Sequence, residues 1–281
     1  MRKNTLSVTD STIAGNSADY TMEGSYPLHA RNTVRRHRER AKYDFETVHQ
    51  IVNASPILHV SFLPAAASDQ QDDIFPTILP MIGYMGSFDG PSSGALDVYL
   101  HGHSASRVMR IAGNHGPDGI PVCIAATLLD GIKLSLTPFN NSCNYRSAVL
   151  HGNASIVTDE AEKDYALRLI TDGLVPGCWD NSRVPPTRAE NLSTSVLKVH
   201  VVTASAKINV GGPSDDRKDL QNDEVTAKVW TGTLPVWNAV GAPVPSATNK
   251  VAQVPEYVVQ WRQDHNSENE SYARDAIDKG K

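Results

Sequence analysis

The sequence predicts a mainly β (α+β) fold in which a β-barrel carries helices on its periphery. From residue 57 onward, short runs of β-type residues follow one another, separated by Gly, Ser, Asp and Pro; they read ILHVSFL, FPTILPMIGYM and LDVYL. Only two segments with helical spacing interrupt these strands. Because strands outnumber helices and come at short intervals, a barrel with peripheral helices fits the pattern better than a doubly wound sheet.

Two helices are predicted from capping residues and apolar spacing. Asp44 can cap a helix that ends near Asn53, and the apolar residues between them recur at helical spacing. Asp159, with Glu162 three residues later, resembles the start of a capping box and begins a second helix. Gly173 is the expected end of that helix.

The sharpest local signal for strands is the run PVCIAATLLDGIKLSLTP. Asp130-Gly131 joins its two β-rich halves, which predicts the turn of a two-residue hairpin at that point. Further along, VLKVHVVTASAKI alternates as another strand, and the polar, Gly-rich GGPSDDRKDLQNDE that follows is predicted to be a surface loop.

The sequence predicts that the chain consists of three parts. Residues 1–30 form a polar N-terminal arm, residues 31–262 a single domain, and residues 263–281 a polar, frayed C-terminal tail. The basic block RNTVRRHRER at 31–40 is interpreted as a solvated helical face or arm, although such a block can also contact phosphate groups.

The composition excludes several classes of function. The 281 residues include 26 basic and 31 acidic ones, and the formal net charge of −5 argues against nucleic acid as a partner. The sequence has no secretory apolar run and no stretch of membrane-spanning length, so no membrane partner is expected. Three widely spaced cysteines fit a reducing compartment, and a cytoplasmic location is the default expectation.

The segment DVYLHGHSASRVMR, residues 97–110, has the chemistry of a phosphate site. A strand leads into Gly102 and then into the start of a helix, where backbone N–H groups point outward. The hydroxyls of Ser104 and Ser106 and the guanidinium of Arg107 add donors and one positive charge. The alternative is an ordinary capped helix with Ser104 as its N-cap.

Two histidines in the same segment are candidate catalytic residues. His101 and His103 are two positions apart, so on a strand they point the same way and can both meet a metal or the edge of a haem. Either is also a candidate proton donor, because histidine titrates near neutrality. No third metal ligand is evident nearby, and a structural hydrogen-bonding role is the alternative.

A second polar cluster, NNSCNYRS at 140–147, follows the predicted hairpin directly. Such a density of polar groups is costly to bury unless something binds there, which favours a loop that faces a ligand. The alternative is a surface turn whose asparagines cap backbone groups. Motifs of hydrolases, metalloproteases and nucleotide-binding loops are absent from the sequence.

Taken in order, a set of segments over residues 31–235 resembles a known family. They are RERAKYDFETVHQIV, HVSF, PTILP, VYLHGHSASR, VCIAATLLDG, NYRS, EKDYAL, SAK, GGPSDD and VWTGTLP. The set is similar to the pyridoxamine 5′-phosphate oxidase-like, FMN-binding split-barrel family, and within it to flavin-nucleotide-binding proteins related to nitroimidazole-resistance reductases. The resemblance implies a split β-barrel with peripheral helices.

The resemblance also implies an FMN that lies across the interface of a homodimer. Ser104, Ser106 and Arg107 would hold its phosphate, in agreement with the chemistry of that segment. The other residues implied in cofactor binding are Pro76, Thr77, Ile78 and Leu79 along the isoalloxazine edge, Leu100 and His101 near the ring or ribityl chain, and Asn144, Tyr145, Arg146 and Trp230, which complete the pocket from the partner subunit. The chain departs from the family pattern at Asn140, Asn141, Cys178 and Asn209, where relatives carry histidines or arginines.

The leading functional hypothesis is an FMN-dependent oxidoreductase that acts on a small organic substrate, with the flavin performing the redox chemistry. One alternative is a haem-binding or haem-handling split barrel, to which the paired histidines point. A non-catalytic flavin-binding protein is the other.

Overall fold

The computed structural model describes residues 24–64, 75–90 and 94–279. Most of the predicted N-terminal arm therefore lies outside the described residues. The strands are β1 Ala41–Lys42, β2 Leu58–Phe62, β3 Thr77–Met81, β4 Gly83–Gly86, β5 Asp97–His103, β6 Ile120–Leu134, β7 Ser142–Ile156, β8 Thr194–Asn209 and β9 Gly232–Pro235. The helices are α1 Phe45–Ala54, α2 Arg107–His115, α3 Glu160–Leu174, α4 Arg188–Ser193, α5 Arg217–Leu220, α6 Asp223–Thr226 and α7 Glu256–Asp278.

The strands form one antiparallel sheet in the order β3-β2-β6-β7-β8-β5-β4, with β1 added to β8 and β9 added to β6. β3 and β4 stand at opposite ends of this order, yet Ile82 alone separates them along the chain. The sheet must therefore curl until its two ends meet, which makes it a barrel. No hydrogen-bonded ladder joins β3 to β4 or β5 among the described strands, so the barrel stays split along this line.

The barrel interior holds the main core. Alternate residues of β2 face inward, because successive side chains of a strand point to opposite faces. Helix α1 adds Val48, Ile51 and Val52, each fully or almost fully buried, and each such burial stabilises the fold by about 1.5–3 kcal/mol. Helix α2 contributes a second apolar face to the same cluster. A smaller cluster lies between α3 and the outer face of the sheet and comprises Tyr99, Val157, Ala166, Ile170 and Val196.

Both predicted helix starts are confirmed. The Asp44 carboxylate accepts a hydrogen bond from the N–H of Thr47 at 2.8 Å, and that of Asp159 accepts one from the N–H of Glu162 at 2.8 Å. Helix α3 ends at Leu174, one residue beyond the predicted stop. The Glu162 side chain does not complete a capping box, because it accepts hydrogen bonds from Tyr99 and Lys198 across the sheet.

The hairpin predicted at Asp130-Gly131 is wrong. β6 runs straight through both residues to Leu134, with a bulge between Leu129 and Gly131, and the chain reverses only over 135–141. Gly131 does not have the positive φ that a two-residue turn of this kind needs. The neighbouring strand β9 explains why residue 131 is a glycine, because a Cβ at this position would lie 3.1 Å from the Thr233 side chain.

The frayed C-terminal tail is also wrong for residues 263–278, which belong to helix α7. The helix packs through small residues, since Ala273 and Ala276 are completely buried and the carbonyl of Ala276 accepts a hydrogen bond from the N–H of Gly211 at 2.7 Å. The predicted loop at 211–224 contains the short helices α5 and α6. No helix in the described part of the chain is long and apolar enough to cross a membrane.

Gly83→Ala is expected to destabilise the protein, because the new methyl group would lie 2.7 Å from the Tyr99 carbonyl oxygen and collide with Leu100, where β4 meets β5. We expect the free energy of unfolding in urea to fall by about 2 kcal/mol. Gly241→Ala is the matched control, since no heavy atom lies within 4 Å of a Cβ at that position. Equal stability of the two variants would contradict the close contact of β4 with β5 at Gly83.

Candidate functional site

The corner between β5 and α2 is the first candidate site. β5 ends at His103 and α2 begins at Arg107. The N–H of Ser104 donates to the carbonyl of Ser193 at 2.8 Å, and the N–H of Ser106 donates to the carbonyl of His103 at 2.9 Å. These bonds hold the turn against the end of α4, so the corner is well defined before any ligand arrives.

Two side-chain donors of this corner, the Ser106 hydroxyl and the Arg107 guanidinium, have no partner among the described residues. Ser106, not Ser104, is the N-cap of α2, and its hydroxyl makes no capping bond. The Ser106 Oγ atom is buried and has no hydrogen-bond partner among the described residues. Arg107 is exposed and forms no ion pair there, and the first turn of α2 contains no acidic residue. A helix N-terminus with a free cation and an unpaired hydroxyl suits an anionic group such as a phosphate.

The free edge of β3 lies close to this corner. β3 pairs only with β2 among the described strands, so the backbone groups on its other edge remain available to a ligand. A Cβ on Gly102 of β5 would lie 3.7 Å from the Met81 side chain at the end of β3. We call β3 together with residues 100–107 the seam, because it follows the line along which the barrel is split. Pro76 and Ile78 are exposed there, whereas Thr77 and Leu79 are half-buried.

The predicted site residues on β5 differ in burial and in hydrogen bonding. Leu100 is completely buried in the barrel core, with Gly83 and Leu197 as its neighbours on the adjoining strands, so its side chain is not exposed to a ligand. His101 is half-buried on the outer face opposite Val196, and burial lowers the pKa of its imidazole. His103 is exposed, and its Nδ1 accepts a hydrogen bond from the N–H of Ala105 at 3.1 Å, which is the structural role considered as an alternative. No group of three metal-ligating side chains occurs in the described residues.

The other predicted residues lie elsewhere in a single protomer. Gly113 near the end of α2 lies next to Ile156 at one end of β7, whereas Arg146 is ten residues away along that strand and faces Asp130. Asn144 is completely buried and donates to the carbonyl of Gly211 at 3.0 Å. Tyr145 is half-buried, and Trp230 is 63% exposed beside Gly232. A contribution of these residues from a partner subunit to the seam remains a prediction.

Arg146 takes part in a buried ion pair. Its Nη2 and Nε atoms donate to the two carboxylate oxygens of Asp130 at 2.7 and 3.0 Å. The guanidinium also lies 3.5 Å from the centre of the Tyr272 ring, which belongs to α7. The charge of Arg146 is thus already balanced within the protomer.

A cavity of about 520 Å³ adjoins this ion pair, and sequence reasoning missed it. It lies between the barrel and the C-terminal part of the chain, and its lining includes Tyr84, Leu129, Arg146, Trp237, Trp261 and Glu268. Two of the four tryptophans line it. The one signal in the sequence was the spacing of Trp261, His265 and Asn269, which recur at helical intervals within a segment interpreted as a tail.

Comparison with known proteins agrees with the architecture. A family model described as pyridoxamine 5′-phosphate oxidase matches residues 44–208. The flavocytochrome Anf3 from Azotobacter vinelandii is 30% identical, with a TM-score of 0.66 over 83% of this chain and 97% of that chain. The FAD and haem binding protein from Mycobacterium smegmatis is 24% identical, with a TM-score of 0.63 over 79% of this chain and 97% of that one. No curated protein matches the sequence significantly.

Asp130→Asn is expected to lower the free energy of unfolding by about 3 kcal/mol, because it leaves the Arg146 guanidinium without a counter-charge at a mostly buried site. Chemical denaturation measures the change. Glu270→Gln breaks an exposed ion pair with Arg274 and serves as the control, with an expected loss of about 0.5 kcal/mol or less. If the two variants lose similar stability, the buried pair does not support the contact between α7 and the barrel.

Proposed function

The chain belongs to the pyridoxamine 5′-phosphate oxidase family, and on that premise we propose that it binds a flavin nucleotide along the seam. The observation that carries the proposal is the pair of unsatisfied groups at the start of α2. The buried Ser106 hydroxyl and the Arg107 guanidinium, neither of which has a partner within the described residues, stand at a helix N-terminus, where an anion is stabilised.

FMN matches the seam at both of its ends, the phosphate and the isoalloxazine ring. Its terminal phosphate matches the donors of Ser104, Ser106 and Arg107. The flat isoalloxazine ring carries hydrogen-bonding groups along one edge, and the free backbone edge of β3 at Thr77–Met81 offers complementary groups. Pro80 is the exception within β3, because it has no N–H to donate.

The proposed active form is a homodimer. Ile78 on β3 is 59% exposed and shares the outer face of the sheet with His59 and Pro80, which are also exposed. Burial of this face against a second copy would also bring a partner's residues to the seam, which is open in one protomer. Tyr145 and Trp230 are the residues that we propose for this role, because Asn144 is completely buried in its own protomer and Arg146 is held there by Asp130.

The proposed activity is oxidoreduction of a small organic substrate in the cytoplasm. When bound, the flavin supplies hydride or electron transfer, and the protein binds and orients it. His101 and His103 are the two candidate proton donors. Burial lowers the pKa of His101 and favours its neutral imidazole, which is the weaker acid, whereas in His103 the Nδ1 atom accepts a backbone hydrogen bond and Nε2 is left to donate. Cys123, Cys143 and Cys178 are unpaired thiols, which supports a reducing compartment.

Haem binding is the second candidate function. The support for it is a relative that is 30% identical along almost its whole length and is called a flavocytochrome. A neutral imidazole is the form that ligates iron, and the lowered pKa of His101 favours that form.

Absorbance of the freshly purified protein distinguishes these candidates. We expect flavin bands, and the mass of the released cofactor should be that of FMN. Release of FAD would correct the nucleotide and leave the seam as its site. A Soret band that His101→Ala abolishes would support haem, and a colourless protein that takes up neither cofactor would contradict both functions.

Arg107→Ala is expected to weaken FMN binding by at least about tenfold, because a charge-assisted hydrogen bond to the phosphate is lost. Quenching of FMN fluorescence on titration with apoprotein measures the dissociation constant. Arg110→Ala removes the same charge from an exposed position one turn further along α2, and we expect it to bind FMN as the unmodified protein does. Equal affinities of the two variants would remove Arg107 from the phosphate site.

A further inference from the structure

The C-terminal part of the chain forms a roof over one flank of the barrel. The family match ends at residue 208, and the roof consists of residues 237–240 and helix α7. The 520 Å³ cavity lies beneath it, against β4, the bulge of β6 and the ends of α1 and α3. None of the seam residues lines this cavity, although Ile82 and Gly83, which directly follow β3, do; the cavity adjoins the proposed flavin site without sharing a residue with it.

The floor of the cavity carries no net charge. Asp130 and Arg146 face it as a bidentate pair, and the Tyr272 ring covers the guanidinium at 3.5 Å. The one arginine of the lining is therefore unavailable to attract an anion. An anionic ligand would have to break this pair, which is costly at a buried site.

The walls are aromatic and aliphatic. Trp237 and Trp261 come from the roof, Tyr84 comes from β4, and Leu129 and Leu174 fill the space between them. Burial raises the pKa of Tyr84, so its phenol stays neutral and its ring remains an apolar surface. Flat apolar walls of this kind favour a planar ligand body, and the volume is in the range of small-molecule sites.

The rim has an excess of negative charge. Asp172 and Glu268 line the cavity, and an adjoining groove of about 500 Å³ shares Trp261 and Glu268 with it and adds Asp264. Glu268 forms no ion pair and no hydrogen bond with any residue that the structure describes. Arg168 lies 3.7 Å from Asp172 and partly balances that carboxylate, so Glu268 is the acceptor that remains free for a ligand.

We propose that this cavity binds a small aromatic cation, whose flat ring packs against the aromatic lining and whose positive charge faces Glu268. The guanidinium of Arg274 already lies 5.7 Å from the centre of the Trp237 ring, so the Trp261 indole is the ring that attracts the ligand's charge, and the Glu268 carboxylate adds a Coulomb term in partly apolar surroundings. A neutral ligand of the same shape loses both interactions, and an anionic one is repelled by the rim.

Three probes of the same two-ring size test the charge preference by isothermal titration calorimetry on the protein as purified. They are 1-methylquinolinium, which is cationic, 1-naphthylmethanol, which is neutral, and 1-naphthoate, which is anionic. We expect the cation to bind at least about tenfold more tightly than the neutral probe, and the anion not to bind. The affinity for the cation should also fall as ionic strength rises, because the rim is open to solvent.

Glu268→Gln is expected to weaken 1-methylquinolinium binding by about threefold. Glu160→Gln makes the same charge change at an exposed position in the first turn of α3, outside the cavity, and should leave the affinity unchanged. Both residues are exposed, so both variants should fold. Equal binding of the neutral and cationic probes, failure of the cation to bind, or equal affinities of the two variants would each overturn the proposal.

Discussion

Ile82 alone separates β3 from β4, although these strands stand at opposite ends of the sheet order. One residue cannot cross a flat seven-strand sheet, because neighbouring strands are about 4.8 Å apart. The sheet must therefore curl, and α1 and α2 bury their apolar faces in the barrel that results. The chain itself connects the two ends of the sheet at Ile82, and among the described strands no hydrogen-bonded ladder joins β3 to β5.

The same constraint produces the seam. Because β3 has only one partner strand among the described strands, its outer backbone groups stay available. The turn at Ser104–Arg107 is held by its hydrogen bond to Ser193, and Gly102 just before it lies close to Met81 of β3. A closed barrel would have used those backbone groups internally. Within the described residues, the seam thus combines a strip of unpaired backbone donors and acceptors with a buried hydroxyl and a guanidinium that has no ion-pair partner.

The C-terminal helix depends on a different interaction, the contact of Tyr272 with the Arg146–Asp130 pair. Three segments that are far apart in the chain meet there, and the cavity opens beside them. The roof packs against the barrel through alanines and a few aromatic rings, and this leaves space that larger side chains would fill. The extension therefore adds a second concave surface to a barrel whose family features lie elsewhere.

Sequence alone determined the features that depend on neighbours in the chain. Asp44 and Asp159 cap helices through residues three positions away, and the corner at Ser104–Arg107 is a strand followed directly by a helix start. The ordered motifs also identified the family correctly. Such features were predictable because their partners lie within one turn of the chain.

Only the tertiary structure decided the features whose partners are distant. Asp130-Gly131 has the composition of a turn, but Asp130 pairs with Arg146 and β9 covers Gly131, so the strand continues. Helix α7 was missed because a helix that buries only two alanines has little apolar signal in its sequence. Its contacts lie on the distant strands β6 and β9, and on Arg146 of β7. Burial of Leu100 and the existence of the cavity likewise follow from packing between remote segments, which local pattern does not encode.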